Sequence, residues 1–362
     1  MGRIVWFERY THADRADVGG KNASLGELTG AGLPVPPGFA VTASAYAQAR
    51  EAARLTGELA ALVAAADPGR PDTVAQAGGR AREMVMSMPL PDRLEAEVRE
   101  AYARLCEQCE MTDVPVAVRS SATCEDQPDA SFAGEHDTYL WVRGAGEVVS
   151  HIRRCWASLY TDRAICYRRH MGYPEAGQAM SVGVQKMATP RAAGVAFTLN
   201  PHDGDRSQIA IDASWGFGEA VVAGEVTPDS FLVDKVLGEV GRRTVSHKEI
   251  EYRLTDQGRV QRAAVDQARQ DSPCLTDEEI KAVAALARRA ERHYGCPQDV
   301  EWAVDTQLPA PGNVLLLQSR PETVWSRKPR QQASAPGGNY MTSIVSTLVA
   351  PLHARPRAAG DR

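Results

Sequence analysis

No apolar run in this sequence is suited to crossing a membrane. The longest uncharged stretch, residues 28–49, is interrupted by three prolines and three glycines, which would break any helix there. The first ten residues, MGRIVWFERY, have neither the apolar stretch nor the cleavage site of a secretory signal. These features predict a protein without membrane spans that works in the cytoplasm.

Cysteine is present in odd number and without the spacing of a metal site. The seven cysteines are scattered along the chain, which favours reduced thiols where no secretory signal is found. Cys106 and Cys109 form a CxxC pair, but neither a second CxxC nor an HxxxH accompanies it. The surrounding text, AYARLCEQCEM, is typical of a helix, so we expect both thiols to be structural.

The chain also lacks the basic excess that is typical of nucleic-acid-binding proteins. It has 41 Lys and Arg residues against 46 Asp and Glu residues, and its net charge is −5. Basic charge is concentrated in residues 326–362, which hold six basic side chains and one acidic side chain. Residues 1–325 therefore form an acidic body, and we expect no nucleic-acid partner.

Residues 326–362 differ from the rest in composition as well as charge. The text SRKPRQQASAPGGNY is typical of a linker, and the apolar patch MTSIVSTLVAPL follows it. One interpretation is a frayed terminus. The other is a basic tail that docks on a partner chain, and the composition favours neither.

The order of predicted elements indicates an α+β fold. Apolar residues at helical spacing predict helices over Ser44–Ala66, Pro91–Cys109 and Glu147–Tyr160. From Met180 onward, short segments rich in β-branched residues predict strands. A capping box at Thr276 and Glu279 begins a predicted helix that ends near Gly295. We expect two lobes with a boundary near residues 185–190.

Neither of the common nucleotide-binding loops is present. The sequence GGKN at residues 19–22 lacks the upstream glycine and the following Ser or Thr of a P-loop. The sequence GFG at residues 216–218 lacks the third glycine of a dinucleotide fingerprint. If the protein binds a nucleotide, it does so by another arrangement.

Three other segments contain residues suited to binding a polyphosphate. Lys21 follows two glycines, whose backbone amides can approach an anion closely. Arg119 follows a predicted strand, and its guanidinium can bind phosphate oxygens through two parallel hydrogen bonds. Ser131 and Gly134 lie in the small-residue run SFAG, which could close over phosphates as a lid that excludes water. Each segment also has a structural interpretation, as a turn, a surface ion pair or a hairpin.

Two later segments carry the most informative polar residues. In DVEWAVD, Glu301 alternates with apolar positions along a predicted strand. In VLLLQSRP, the same alternation places Gln318 and Arg320 on one face with Leu316. If the two strands pair antiparallel, a carboxylate, an amide oxygen and a guanidinium converge. Two oxygen donors suit Mg²⁺ that also binds substrate phosphates, and the arginine can neutralise charge on a transferred phosphoryl group.

Together these motifs resemble the nucleotide-binding domain of the phosphoenolpyruvate synthase and pyruvate phosphate dikinase family. The resemblance covers nearly all of residues 1–325. The matching segments are VGGKNASLGEL (18–28), VPPGFAVTASAY (35–46), VAVRSSATCEDQPDASFAGEHDTYL (116–140), ASLYTDRAICYR (157–168), SVGVQKM (181–187), SWGFGEAVVAGEVTPDSF (214–231), QDVEW (298–302) and LQSRPETVW (317–325).

The resemblance implies an ATP-grasp fold, in which two lobes clamp Mg-ATP. It implies an N-terminal lobe over residues 1–186 with a phosphate-binding lid at 129–138, a C-terminal lobe with the metal site over 187–325, and the basic tail over 326–362. By motif match, Lys21 and Arg119 would contact phosphates; Thr138 would lie near them beneath the lid residues Ser131 and Gly134; Gln185 and Met187 would border the adenine; Glu301 and Gln318 would hold magnesium; and Arg320 would bind the transferred phosphate. Lys21, Arg119 and Arg320 are the implied catalytic residues.

The family's phosphorylated histidine has no counterpart among the eight histidines of this sequence. None stands in a Thr-Ser-His-Ala-like context, and His247, in VSHKE, is the nearest. The resemblance therefore implies the ATP-binding subunit of a split dikinase, which passes the pyrophosphoryl or β-phosphoryl group of ATP to a histidine on a partner subunit. The acceptor would be phenol, as in phenylphosphate synthase. Alternatives are a split phosphoenolpyruvate synthase acting on pyruvate and a non-catalytic subunit that responds to nucleotide.

Overall fold

The structure is a computed structural model, and it describes residues 1–122, 138–172, 178–255 and 258–325. Met1–Glu322 form one compact unit, and Thr323–Arg362 form a second, of which the structure describes only the first three residues. The predicted lid residues Ser131 and Gly134 and the basic tail lie outside the described residues. Within the described ranges, no helix combines the length and apolar character needed to cross a membrane.

An antiparallel five-stranded sheet organises the first half of the unit. Its spatial order is β1-β2-β5-β3-β4, so β5 returns from later in the chain to lie between β2 and β3. The strands are β1 (Ile4–Trp6), β2 (Gly38–Val41), β3 (Val116–Ala122), β4 (Thr138–Val142) and β5 (Met180–Lys186). The accompanying helices are α1 (Arg15–Gly30), α2 (Ala43–Ala52), α3 (Thr56–Ala65), α4 (Pro71–Ser87), α5 (Asp92–Gln108), α6 (Ala145–Ala157) and α7 (Asp162–His170).

These helices bury their apolar faces against the five-stranded sheet. Trp156 of α6 is fully buried, and its ring lies 5.0 Å from that of Tyr46 on α2. The Tyr46 hydroxyl hydrogen-bonds with that of Tyr160 at 3.1 Å, so the polar end of a buried aromatic side chain is satisfied. This core fixes the position of β3 and β5, whose ends contribute to the site described below.

A second antiparallel sheet, of six strands, organises the other half. Its order is β13-β12-β6-β7-β8-β9; β10 and β11 form a second, two-stranded sheet, which a bridge between Gly216 and Tyr252 connects to the end of β7. The strands are β6 (Pro190–Phe197), β7 (Gln208–Trp215), β8 (Asp229–Asp234), β9 (Val240–Thr244), β10 (Ile250–Leu254), β11 (Val260–Ala264), β12 (Gln298–Asp305) and β13 (Val314–Pro321). The helices are α8 (Glu219–Val222), α9 (Gln267–Gln270) and α10 (Asp277–Tyr294).

Helix α10 covers the six-stranded sheet and begins and ends where the sequence predicts. The Thr276 hydroxyl accepts a hydrogen bond from the Glu279 backbone N–H, and the Glu279 carboxylate accepts one from the Thr276 N–H. Gly295 ends the helix with a φ of +67°, in the left-handed region that favours glycine. The predicted capping box and C-terminal stop are both confirmed.

The prediction of one helix over Ser44–Ala66 is wrong, because this segment forms two helices, α2 and α3. Arg54 has a φ of +58°, which ends α2 before α3 begins at Thr56. Left-handed backbone is costly for a residue with a Cβ, and apolar spacing does not reveal such a break. The helix predicted over Pro91–Cys109 matches α5, and the one over Glu147–Tyr160 matches α6 followed by a 3₁₀ turn.

The first part of the chain also contributes to the core of the second sheet. Leu28, at the end of α1, and Leu33 pack with buried side chains of the six-stranded sheet and α10. The Ser24 hydroxyl donates to the Ser319 carbonyl of β13 at 2.8 Å. The backbone N–H of Leu316 donates to the Pro34 carbonyl at 2.9 Å. Residues 24–34 therefore link the two sheets within Met1–Glu322.

Two aspartates near the six-stranded sheet are expected to have opposite effects on stability as pH changes. Burial raises the pKa of Asp212 on β7, so the folded state holds its proton more tightly than the unfolded chain does. Hydrogen bonds from the Ser207 backbone and side chain lower the pKa of Asp205. Stability due to Asp212 therefore falls as pH rises from the ordinary aspartate pKa to the raised one. Stability due to Asp205 is present at neutral pH and is lost in acid.

We therefore expect Asp212→Asn to gain free energy of unfolding relative to the wild type as pH rises from 4 to 7. Asp205→Asn should lose free energy of unfolding relative to the wild type over the same interval. Urea unfolding of both variants at several pH values measures this, with each serving as the control for the other. Slopes of the same sign for the two variants would contradict these pKa assignments.

Candidate functional site

A cleft of about 790 Å³ lies between the two large sheets. It is lined by the ends of β3 and β5, by β4, β12 and β13, and by the segment around α8. Eight of the ten predicted site residues line it: Lys21, Arg119, Thr138, Gln185, Met187, Glu301, Gln318 and Arg320. The other two, Ser131 and Gly134, lie outside the described residues. Tertiary folding thus brings together residues up to 299 positions apart in the sequence.

Lys21 reaches the cleft because α1 is interrupted at Gly19. Gly19 has φ +74° and ψ 168°, so a kink separates the first turn of the helix from the part that contains Lys21. A Cβ at Gly19 would stand 2.2 Å from the Ser121 carbonyl oxygen, so only glycine permits this approach of α1 to β3. After the kink, the Asn22 N–H donates to the Ser121 hydroxyl at 3.3 Å. The GGK sequence therefore forms a helix break held against β3.

Arg119 lies at the centre of the polar side of the cleft. Its Nη2 donates to Oε1 of Gln318 at 2.6 Å and lies 3.7 Å from Oε2 of Glu301. Its Nη1 donates to the Leu317 carbonyl at 3.0 Å and to Oε1 of Gln185 at 3.4 Å. The guanidinium thus connects the five-stranded sheet to the paired strands β12 and β13.

Glu301 and Gln318 face each other across β12 and β13. The two strands pair antiparallel, as the convergence of their side chains required, and Glu301 is directly opposite Gln318. Two residues away along each strand, Arg320 is opposite Asp299, and the Arg320 Nε donates to Oδ2 of Asp299 at 2.7 Å. A carboxylate, an amide oxygen and two guanidinium groups therefore converge in the cleft.

The prediction that Gln318 and Arg320 share a strand face with Leu316 is wrong, and a β-bulge is the reason. Pairing changes register between Glu301 and Trp302, so Leu317 is an extra residue in β13 without an opposite partner. Leu316 packs in the core beneath α10, whereas Gln318 and Arg320 line the cleft. An inserted residue reverses the alternation of a strand beyond it. The bulge therefore turns two polar side chains from the core side to the cleft.

Two carboxylates of the site were not among the predicted residues. Glu219, at the start of α8, lines the cleft, and burial raises its pKa, with the nearby charge of Glu301 acting in the same direction. Burial also raises the pKa of Asp299, against the opposing effect of Arg320. Oε2 of Glu219 and Oδ1 of Asp299 are buried without a hydrogen-bond partner among the described residues. Asp299 precedes Glu301 by two positions, so strand alternation was a signal for it, whereas nothing local indicated Glu219.

The other end of the cleft is apolar. Met187 follows β5 and packs with Ala117 and Phe217 in a small cluster, and Leu140 and Tyr252 lie against them. All five line the cleft. The Gln185 side chain, which also lines the cleft, accepts from Arg119 through Oε1 and donates through Nε2 to the Pro36 carbonyl at 3.4 Å. The cleft therefore has an apolar end suited to a flat apolar group and a polar end suited to charged groups.

Residues 15–337 match the family model described as "Pyruvate phosphate dikinase, AMP/ATP-binding domain". The match covers most of the chain, including every predicted site residue. The chain belongs to this family. Among curated members of similar sequence, the probable phosphoenolpyruvate synthase of Staphylothermus marinus is 42% identical over 98% of this chain and 46% of its own length. The phosphoenolpyruvate synthase of Aeropyrum pernix is 37% identical over 99% of this chain and 47% of its own.

A third relative in the dikinase family has a different name. The rifampicin phosphotransferase of a Streptomyces species is 42% identical over 88% of this chain and 36% of its own length. The chain thus spans about half the length of the curated relatives that it matches, or less. Among solved structures, D-alanyl-alanine synthetase A from Vibrio cholerae matches with a TM-score of 0.27 and 9% identity over 64% of this chain and 47% of that one, which is too little similarity to support a conclusion.

Proposed function

We propose that this member of the dikinase family binds Mg-ATP in the cleft and transfers its pyrophosphoryl or β-phosphoryl group to a histidine outside the cleft. The observation that carries the proposal is the convergence of Arg119 with Glu301 and Gln318 next to an apolar pocket. The ATP-binding description of the family supports it. In this proposal the fold is an ATP-grasp, with lobes over residues 1–186 and 187–325.

The two faces of the cleft suggest how ATP would lie. The adenine would pack beside Met187 and Phe217, with Gln185 at its edge, because these residues offer an apolar surface and one polar group. The phosphates would extend toward Lys21 and Arg119, next to Thr138, which is opposite Arg119 in the pairing of β3 with β4. Arg320, at the same end, would neutralise the transferred group. The lid at 129–138, with Ser131 and Gly134, would cover the phosphates.

The donor set fits a magnesium ion that is bound together with the nucleotide. Oε1 of Gln318 lies 2.6 Å and Oε2 of Glu301 lies 3.7 Å from the same nitrogen of Arg119, so the two oxygens are close to each other in the cleft. No group of three or more His, Cys, Asp or Glu side chains in the described ranges could hold a metal by itself. This suits Mg²⁺, which usually takes one or two protein oxygens together with substrate phosphates. When bound, the ion would neutralise charge on the phosphate oxygens.

The residues of the cleft would act mainly by positioning and by charge neutralisation. A histidine nitrogen attacks the β-phosphorus, the bond from that phosphorus to the AMP oxygen breaks, and AMP leaves. Water later accepts the γ-phosphoryl group, so the products are AMP, phosphate and phosphohistidine. Arg119 and Lys21 would hold the phosphates in line, and Arg320 would compensate for charge on the group in transit.

None of the eight histidines here has the expected context, so the receiving histidine would lie outside these 362 residues. We propose that a separate partner subunit carries it. The basic tail, residues 326–362, is the proposed docking segment. For the final acceptor, phenol in a reaction of the phenylphosphate synthase type is one candidate. The names of the archaeal relatives favour the other, a phosphoenolpyruvate synthase reaction on pyruvate. A non-catalytic nucleotide-responsive subunit is disfavoured by a site that has both metal-type oxygens and arginines.

Removing the carboxylate of Glu301 is expected to make ATP binding independent of magnesium. Calorimetric titration of the wild type should show ATP binding at least tenfold tighter with Mg²⁺ than with EDTA. Glu301→Gln keeps the side-chain size but removes the charge that attracts the ion, so the two affinities should become nearly equal. Glu239→Gln, an exposed carboxylate outside the cleft, is the matched control. Full magnesium dependence in Glu301→Gln would exclude this residue as a ligand.

A further inference from the structure

A second cavity, of about 550 Å³, lies next to the cleft between the two large sheets. Its lining residues differ in chemical character from those of the cleft. Its walls include Arg191, Arg253 and Arg269, together with Trp215, Glu251 and Ser272. Three arginines thus line one cavity of a body whose net charge is acidic. None of these six residues lines the ATP cleft, although Pro190 lines both cavities.

Two of the arginines are fixed in place by carboxylates and by an aromatic ring. Arg269 binds Glu251 through Nη1 at 3.4 Å and Nη2 at 3.1 Å, and its guanidinium lies 4.3 Å from the centre of the Trp215 ring. Arg191 binds both oxygens of Glu279 at 2.6 Å and donates to the Cys274 carbonyl at 2.8 Å. The guanidinium planes of both arginines are therefore held in position. Each guanidinium has five N–H donors, more than these bonds use.

Arg253 gives the cavity a net positive charge. It is exposed on β10, and within the described ranges it has no ion pair with a carboxylate. The two inner arginines are paired with Glu251 and Glu279, whereas Arg253 has no carboxylate partner among the residues that the structure describes. Ser272 adds a hydroxyl group to the wall. This combination suits a compact anion with several oxygens, because guanidinium groups bind phosphate through paired hydrogen bonds.

The cavity lies behind the wall of the ATP cleft. Along β10, Tyr252 lines the cleft while its neighbours Glu251 and Arg253 line the second cavity. Trp215 lines the second cavity, and Phe217, two residues later, lines the cleft. The backbone N–H of Phe217 donates to the Tyr252 carbonyl at 2.9 Å, which joins the two segments. A ligand in the second cavity would therefore contact the same backbone segments that shape the apolar face of the cleft.

We propose that this second cavity is a binding site for a phosphate-class anion, either inorganic phosphate or a phosphate monoester, distinct from the ATP cleft. Arg253 supplies a positive charge without a carboxylate partner in the described ranges, and Arg269 and Arg191 supply pre-oriented donors.

Calorimetric titration with inorganic phosphate tests the proposal on the whole chain. Arg253→Gln should weaken phosphate binding at this site at least tenfold. Arg259→Gln, which removes an exposed arginine on the same β-hairpin, should bind like the wild type. Arg119→Met, which disables the cleft, should keep the second binding event. Since Arg269 lies against Trp215, phosphate should also change tryptophan fluorescence, and this change should be absent in Trp215→Phe.

Two outcomes would overturn the proposal. One is unchanged phosphate binding in Arg253→Gln when its melting temperature equals that of the wild type. The other is complete loss of phosphate binding in Arg119→Met, because the cleft would then be the sole phosphate site. Inorganic phosphate and a monoester such as glycerol phosphate, titrated in parallel, distinguish the two ligand sources by their relative affinity.

Discussion

Replacing Arg119 with methionine is expected to weaken ATP binding about a hundredfold, because about 3 kcal/mol of charge-assisted hydrogen bonding is lost. Methionine preserves much of the side-chain length but neither the charge nor the donors. Arg119 donates to Gln318, the Leu317 carbonyl and Gln185, so the substitution also removes a hydrogen bond to the Gln318 oxygen proposed to bind magnesium. Calorimetric titration with Mg-ATP measures the affinity, and a thermal melt confirms folding.

Arg143→Met provides the matched control for Arg119→Met. Arg143 follows β4, is half exposed and pairs with Asp113 outside the cleft, so its loss should leave ATP affinity unchanged. Because Arg119 also joins the two sheets, its replacement is expected to lower the melting temperature slightly. Nearly wild-type ATP affinity in a folded Arg119→Met protein would show that the phosphates lie elsewhere, and the proposed binding mode would have to be abandoned.

Replacing Lys248 with methionine is expected to destabilise the fold by about 3–5 kcal/mol, because it leaves a buried carboxylate without its cation. Lys248 and Asp229 form an ion pair of 2.6 Å in which neither side chain is exposed to solvent. Lys248 also donates to the Ser246 carbonyl at 2.7 Å, and Asp229 accepts from the backbone N–H groups of Ser246 and Cys274. The pair thus holds the start of β8 to the segments before β10 and α10. Urea unfolding measures the loss.

An exposed ion pair in the same half of the protein provides the comparison. Arg243 and Asp277 pair at the surface, where solvent screening limits such an interaction to about 1 kcal/mol or less. Arg243→Gln should therefore change the free energy of unfolding far less than Lys248→Met. Adding Asp229→Asn to Lys248→Met should recover part of the loss, because the unpaired charge is removed while the amide oxygen can still accept from a backbone N–H. Equal effects of Lys248→Met and Arg243→Gln would contradict the burial of the pair.

The local sequence was sufficient to predict a structural element wherever the interactions that determine it lie within a few residues of each other. The capping box of α10, its end at Gly295 and the extent of α5 follow from backbone hydrogen bonds and helical spacing, which short segments specify. The break between α2 and α3 was missed because a positive φ at Arg54 leaves the apolar pattern intact. The membership of residues 15–337 in the dikinase family was also visible in the motifs, because several long segments occur in the same order.

Only part of the candidate site could be predicted from the sequence. Motif matching selected eight described residues that line one cleft, although their roles in binding stay predictions. It did not select Glu219, whose burial depends on the fold around α8. Strand alternation wrongly placed Leu316 on the same face as Gln318 and Arg320, since it cannot reveal an unpaired residue such as Leu317.

The sequence by itself determined the family, the α+β character and the chemical types available for a nucleotide site, because these depend on local patterns and on ordered motifs. Only the tertiary structure decided the bulge in β13, the helix break held against β3 at Gly19 and the joining of Arg119 to Glu301 and Gln318. Each of these depends on a partner far away in the chain, and their positions follow from sheet pairing and close packing rather than from neighbouring residues.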